Sequence, residues 1–169
     1  MTIYFGDSTN IATATGLGAK LINIVQHVKT ARQTMNVSSD TTVMSQAITP
    51  QSSSHKILVC YHISYNAGGN WHGHGFKIKR GGTQLAIPDA VGTMQRHTVA
   101  GHRPGDDRSM SSLDGMILDS PSTTSSTTYY VQATDQNGTD FYINRGRNGN
   151  TGGGEGLSSS FLTLIEVAI

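Results

Sequence analysis

Ser160-Phe161-Leu162-Thr163-Leu164-Ile165-Glu166-Val167-Ala168-Ile169 has the pattern of a strand that is apolar on both faces. Side chains in a strand alternate between faces, so Phe161, Ile165, Val167 and Ile169 fall on one side and Leu162, Leu164 and Ala168 on the other. Both sides are apolar, and neither can be left in water. One closes the domain's own core. The other needs a second cover, and in a chain with so little helix signal the expected cover is another copy of the same chain.

Leu21-Ile22-Asn23-Ile24-Val25-Gln26-His27-Val28 is the counterpart of this run near the other end, rich in β-branched residues and apolar on both faces at its start. The residues before it are small, polar and punctuated by glycine, with only Ile3, Tyr4 and Phe5 able to anchor. They read as an arm over 1–18 preceding a single domain over 19–169. Between the two terminal runs, further strands are expected at 43–48, 56–65, 76–79, 84–87, 94–100, 113–118, 129–134 and 141–144. Each is bounded by Ser, Thr, Gly, Asn, Asp or Pro. Gly81-Gly82 and Asn137-Gly138 mark two tight hairpin turns. Strands at this spacing indicate an all-β sandwich or barrel.

Composition agrees. The chain has 18 Ser, 20 Thr and 20 Gly, while charged residues make up 14%, a balance that suits strands and polar loops over long surface helices. The net charge is +1 with scattered Lys and Arg, so there is no footprint for a nucleic-acid backbone. No apolar run approaches the ~20 residues that cross a bilayer, and a membrane is not an expected partner. The start Met1-Thr2-Ile3-Tyr4-Phe5-Gly6-Asp7 lacks the basic segment and apolar core of a signal peptide, so export by that route is not expected. Cys60 is the single cysteine and forms no internal disulfide; a buried thiol is its expected state.

The residues that suggest chemistry each have a plainer structural reading. His62, His72 and His74 offer three imidazoles to zinc, but no Cys or carboxylate pattern completes the site, and histidines at a sheet edge or subunit contact are expected instead. His97, His102, Asp106, Asp107 and Ser109 supply the residue types of a Ser-His-Asp hydrolase without a positioned nucleophile. Residues 101–108 read as a charged exposed loop. Asp135, Asn137 and Asp140 resemble a piece of a calcium loop, with the glycine misplaced for an EF-hand. Trp71, Tyr61, Tyr65, Tyr129 and Tyr130 are the aromatics that could lie under a sugar, though core or intersubunit packing is their commoner use. No catalytic residue, cofactor or metal is expected.

Several runs in order resemble a domain of tailed bacteriophages, especially cyanophages, found among tail-fibre-like and other virion surface proteins. They are Met1-Thr2-Ile3-Tyr4-Phe5-Gly6-Asp7, Leu21-Ile22-Asn23-Ile24-Val25-Gln26, and Ile48-Thr49-Pro50-Gln51 continuing through Lys56-Ile57-Leu58-Val59. Downstream come Leu118-Asp119-Ser120-Pro121, Thr128-Tyr129-Tyr130-Val131-Gln132, Phe141-Tyr142-Ile143-Asn144-Arg145 and Leu164-Ile165-Glu166-Val167. The resemblance implies a jelly-roll sandwich similar to trimeric tumour-necrosis-factor-like heads, with the first and last strands side by side.

On this basis the expected protein is a non-enzymatic homotrimer on the outer surface of a virion, assembled in the host cytoplasm. Its role would be that of a capsid decoration, or cement, protein bound to the major capsid protein. Ile3, Tyr4 and Phe5 would dock the arm. Leu21, Val25, Leu162 and Leu164 are the expected trimer contacts; a polar residue at Leu164 would break the trimer if that face is outward and unfold the monomer if it is inward. The alternative is a tail-fibre or receptor-binding protein that touches a host glycan through loop residues such as Trp71, His72, His74, Arg103 and Arg108. The shortness of the arm favours the first reading, since a fibre needs a shaft.

Overall fold

The computed structural model describes residues 20–68, 74–101, 107–135, 138–149 and 156–169. The expected arm, with Ile3, Tyr4 and Phe5, lies outside the described residues. The rest is all-β, built from eleven strands: β1 (Lys20–Lys29), β2 (Gln33–Val37), β3 (Thr41–Ile48), β4 (Lys56–Ala67), β5 (Gly75–Arg80), β6 (Thr83–Gln84), β7 (Val99–Ala100), β8 (Ser111–Asp119), β9 (Thr127–Thr134), β10 (Thr139–Ile143) and β11 (Ser160–Ala168).

Two antiparallel sheets face each other as a sandwich. In the first, β1, β11 and β4 lie in that order, β8 covers the other edge of β4, and β10 and β2 continue the sheet at its far end. In the second the order is β3, β9, β5, with β6 and β7 both on the outer edge of β5. Strands β10 and β11 run along the same edge of β4, Ile143 opposite Tyr65 and Phe161 opposite His62. Strands β1 and β2 follow beside them as a second interrupted track.

The break between β10 and β11 is pinned by a buried polar cluster. Asn144, at a positive φ of 61° that asparagine tolerates better than most residues, donates through Nδ2 to the carbonyls of Lys29 (2.7 Å) and Ala31 (3.2 Å). Its Oδ1 accepts from Ser160 Oγ at 2.6 Å, and Ser160 Oγ in turn accepts from the Ser64 amide at 3.0 Å. Backbone groups freed where both tracks are interrupted thus find partners, as burial requires.

Alternation fills the space between the sheets. From the first sheet come Ile57, Val59, Tyr61, Ile63, Tyr65 and Ala67 of β4, with Leu162 and Leu164 of β11; from the second come Val43, Phe76, Ile78, Tyr129, Val131 and Ala133. Tyr65, Phe76 and Phe141 meet near one end, with edge-on contacts of Phe76 to Tyr65 (5.0 Å) and to Phe141 (5.5 Å). Near the other end Asp119 of β8 is buried and accepts from Arg80 Nη1 (3.0 and 2.9 Å) and from Tyr129 Oη (2.7 Å), which ties β8 to β5 and β9 across the sandwich. Burial, and then the bond to Asp119, push the Tyr129 hydroxyl far above its ordinary pKa.

Three expectations about elements are corrected. The Asn137-Gly138 turn does not close a hairpin: β9 pairs with β3 and β5, while β10 pairs with β2 and β4, so the chain crosses between sheets there. Gly138 still adopts a positive φ of 73°. The strands expected at 84–87 and 94–100 shrink to Thr83–Gln84 and Val99–Ala100. Ala86 turns to a φ of 48° and Pro88 has no amide to donate, so pairing along β5 stops. Strand β2, Gln33-Thr34-Met35-Asn36-Val37, is an addition whose polar alternate residues hid it among turn-like sequence.

Candidate functional site

Because β1, β11, β4 and β8 are adjacent, their outward residues fall into rows across the sheet. Val28, Phe161, His62 and Asp114 form one row; Gln26, Thr163, Cys60 and Met116 the next; Ile24, Ile165, Leu58 and Leu118 the third. Leu21, Val167 and Lys56 begin a fourth. With strands ~4.8 Å apart and rows ~6.8 Å apart, the four rows cover roughly 500 Å².

This outer face is apolar and open. Met116 is 70% exposed, Leu118 53%, Ile24 51%, Val28 49% and Leu21 44%, and Leu58, Cys60, Phe161, Ile165 and Val167 are half-buried between them. Scattered exposed apolar residues are ordinary; a contiguous patch of roughly 500 Å² is as large as the largest on a typical monomer, a size that is often functional. Its polar members are already partnered within the chain. Gln26 Nε2 donates to Thr163 Oγ1 at 2.7 Å, so that pair can be covered without stranding a donor. Lys56 Nζ donates to Ser120 Oγ at 2.6 Å on the rim.

At the opposite rim His62 stacks on Phe161 with ring centroids 5.2 Å apart, and its Nδ1 lies 2.5 Å from Asp114 Oδ1. His62, Asp114 and the thiol of Cys60 thus stand on one face, the residue types of a nucleophilic site. The thiol argues otherwise: burial pushes its pKa above the ordinary value, whereas a catalytic cysteine needs the thiolate favoured. The His62–Asp114 pairing depends on β4–β8 register and so could not be read from residues 52 positions apart.

The expected contact residues divide. Leu162 and Leu164 are completely buried against the second sheet, so they are core and not interface; this corrects the expected trimer contacts. Leu21 stands on the outer face opposite Val167, yet Val25 is opposite Leu164 and packs against the core. Two residues four apart in a regular strand share a face. Here the register shifts between Leu21 and Asn23, and the bulge reverses the facing of everything after it.

Of the expected loop contacts, Trp71, His72 and Arg103 lie outside the described residues. His74 is half-buried, its ring edge-on to Phe141 at 5.9 Å, and the space beside it is left by Gly101, whose hypothetical Cβ would fall 2.5 Å from His74 Cδ2. Arg108 is exposed. Its neighbour Asp107 accepts from Arg147 Nη1 at 3.2 Å, and the Asp107 carbonyl accepts from the Asn148 amide at 3.2 Å. The stretches after residue 106 and before residue 150 are therefore held together. Of the hydrolase-like set, His102 and Asp106 lie outside the described residues. Among the described residues, no three His, Cys, Asp or Glu side chains are grouped to hold a metal ion.

Compared with protein-family models and with curated proteins, the chain matches none. The class that fold and surface define is an all-β sandwich with one apolar outer sheet face.

Proposed function

We propose that this chain is a non-enzymatic structural protein, a jelly-roll sandwich that assembles as a homotrimer through the outer face of β1, β11, β4 and β8. We place that trimer, as a decoration protein, on the outside of a tailed-phage capsid. The observation that carries self-association is the four-row apolar face, whose polar members are already paired. The jelly-roll reading is supported by strand order: β1-β11-β4-β8 in one sheet and β3-β9-β5-β6 in the other, with the first and last strands as neighbours.

The phage setting rests on the resemblance of the sequence. In that setting the work is energetic. A trimer that binds the assembled shell but not its free subunits stabilises the shell by linkage, by about 2.7 kcal/mol per site at a hundredfold excess over Kd. Multi-angle light scattering at micromolar concentration is expected to give a trimer mass; a monomer at every concentration defeats the reading. Imaging virions with the protein labelled is expected to show it spread over the head, whereas labelling confined to the tail would favour the receptor-binding alternative.

A further inference from the structure

A second apolar surface lies at the edge of the sandwich. Residues 86–94 are all exposed, and within them Met94 is 72% exposed, Val91 62% and Ile87 48%. The stem of this loop is firmly built. The Leu85 amide donates to the Ile78 carbonyl at 2.8 Å, Thr98 Oγ1 donates to the Leu85 carbonyl at 2.8 Å and accepts from the Ile78 amide at 3.1 Å, and Gln84 Nε2 donates to the Arg96 carbonyl at 3.1 Å. Leu85 itself is buried in the core. The loop thus springs from the outer edge of β5, between β6 and β7, and holds three large apolar side chains out from it.

That edge is the one shared with β8. β1 and β11 pack over β3, while β5 meets β8 through the Arg80–Asp119 pair. The loop leaves the apolar sheet face uncovered, and both surfaces remain exposed on the single chain. We propose that loop 86–94 of one copy seats on the outer face of β1, β11, β4 and β8 of the next, a head-to-tail contact that closes into a threefold ring. This rests on the reading that the sheet face is the self-association surface.

Area and charge favour this occupant over a face-to-face pair. Two copies meeting face to face would cover only the sheet face and leave Ile87, Val91 and Met94 in water. A ring engages every copy twice, once through its face and once through its loop, and only a heterologous contact closes that way. The loop carries one acidic side chain, Asp89, and the sheet face carries one lysine, Lys56, at one rim and one carboxylate, Asp114, at the opposite rim. Seating Ile87, Val91 and Met94 over Leu58, Ile165 and Leu118 brings Asp89 and Lys56 to the same border, where they set orientation more than affinity.

The test uses the full chain. In the double variant Val91→Asp/Met94→Asp, light scattering is expected to show at least a tenfold weaker association, with far-UV circular dichroism and the melting temperature of the monomer unchanged. A photo-crosslinking benzophenone side chain at position 94 is expected to join peptides from β8 or β11 of another copy, as read by mass spectrometry, and to give no linked species beyond a trimer. A charged loop that leaves the trimer intact, or crosslinks confined to other parts of the chain, overturns the head-to-tail contact while leaving self-association standing. Leu118→Cys in a Cys60→Ser background that oxidises to disulfide dimers would establish a face-to-face pair and overturn it as well. A wild-type chain that is monomeric throughout defeats both readings.

Discussion

Leu164 and Ile165 are neighbours with opposite duties, and substituting each in turn separates folding from assembly. Leu164 is completely buried in the core, so Leu164→Ala removes packed methyl groups and leaves a cavity, at a cost of about 2–5 kcal/mol. In a domain of this size each kcal/mol moves the melting temperature by roughly 2–4 °C, so a central value of about 3 kcal/mol lowers it by roughly 6–12 °C. Ile165 lies half-buried on the outer face opposite Ile24 and Leu58. Ile165→Asp is expected to change the monomer by about 1 kcal/mol or less. In the proposed trimer the new carboxylate would be covered without a partner, so association is expected to weaken by about 1–3 kcal/mol, roughly five- to 150-fold in Kd. Thermal melts followed by circular dichroism at dilute concentration, paired with sedimentation velocity, read the two effects separately. If Leu164→Ala sediments as a monomer with its melting temperature intact, the facing of β11 is reversed from that described and the interface reasoning fails.

Three more outcomes are expected. Asp119→Ala, which leaves the Tyr129 hydroxyl and Arg80 without their buried acceptor, should lower stability by about 3–5 kcal/mol in chemical denaturation, with Asp119→Asn recovering part of the loss. Burial alone would raise the pKa of Asp40, but hydrogen bonds from Lys77 and Thr134 and the charges of Lys77 and Lys79 outweigh it and hold the carboxyl below its ordinary value of 3.8. Its contribution is therefore full above about pH 4 and lost as the pH falls through the lower folded value. Melts from pH 2.5 to 6 should show that acid limb, flattened in Lys77→Met. Cys60 should react slowly with a maleimide in the assembled protein, and at least tenfold faster once Leu118→Asp has opened the face; equal rates would mean that nothing covers it.

Much of the fold could be read from sequence. Alternation and β-branched content located β1, β3, β4, β8, β9 and β11 to within a residue or two, because each of these strands buries one face and so needs the period of two. The Gly81-Gly82 turn does close β5 onto β6. What escaped was non-local. The Asn137-Gly138 dipeptide favours a hairpin locally, but β10 gains two partners in the other sheet and takes them. The bulge after Leu21 is invisible in an apolar run, since Ile22 and Ile24 look alike to any periodicity, yet it decides which side Val25 takes. The apolar face was legible only as two-faced terminal strands; Met116 and Leu118 join it through β4–β8 register, and the two ends of loop 86–94 read as the strands 84–87 and 94–100 because Leu85 and Ile87 alternate with smaller residues.

The excursion between β10 and β11 has a consequence for how this molecule can change. The chain leaves the edge of β4 beyond Ile143 and rejoins it at Phe161, opposite Tyr65 and His62, so departure and return are separated by only two residues of the partner strand. Asn144 and Ser160 clamp those two points to the sheet and to each other. A segment whose ends are already fastened together can lengthen cheaply, each doubling costing only about 0.6 kcal/mol of closure entropy. The site is thus a port for sequence novelty, where an epitope or a foreign peptide can be grafted without renegotiating strand register, core or apolar face.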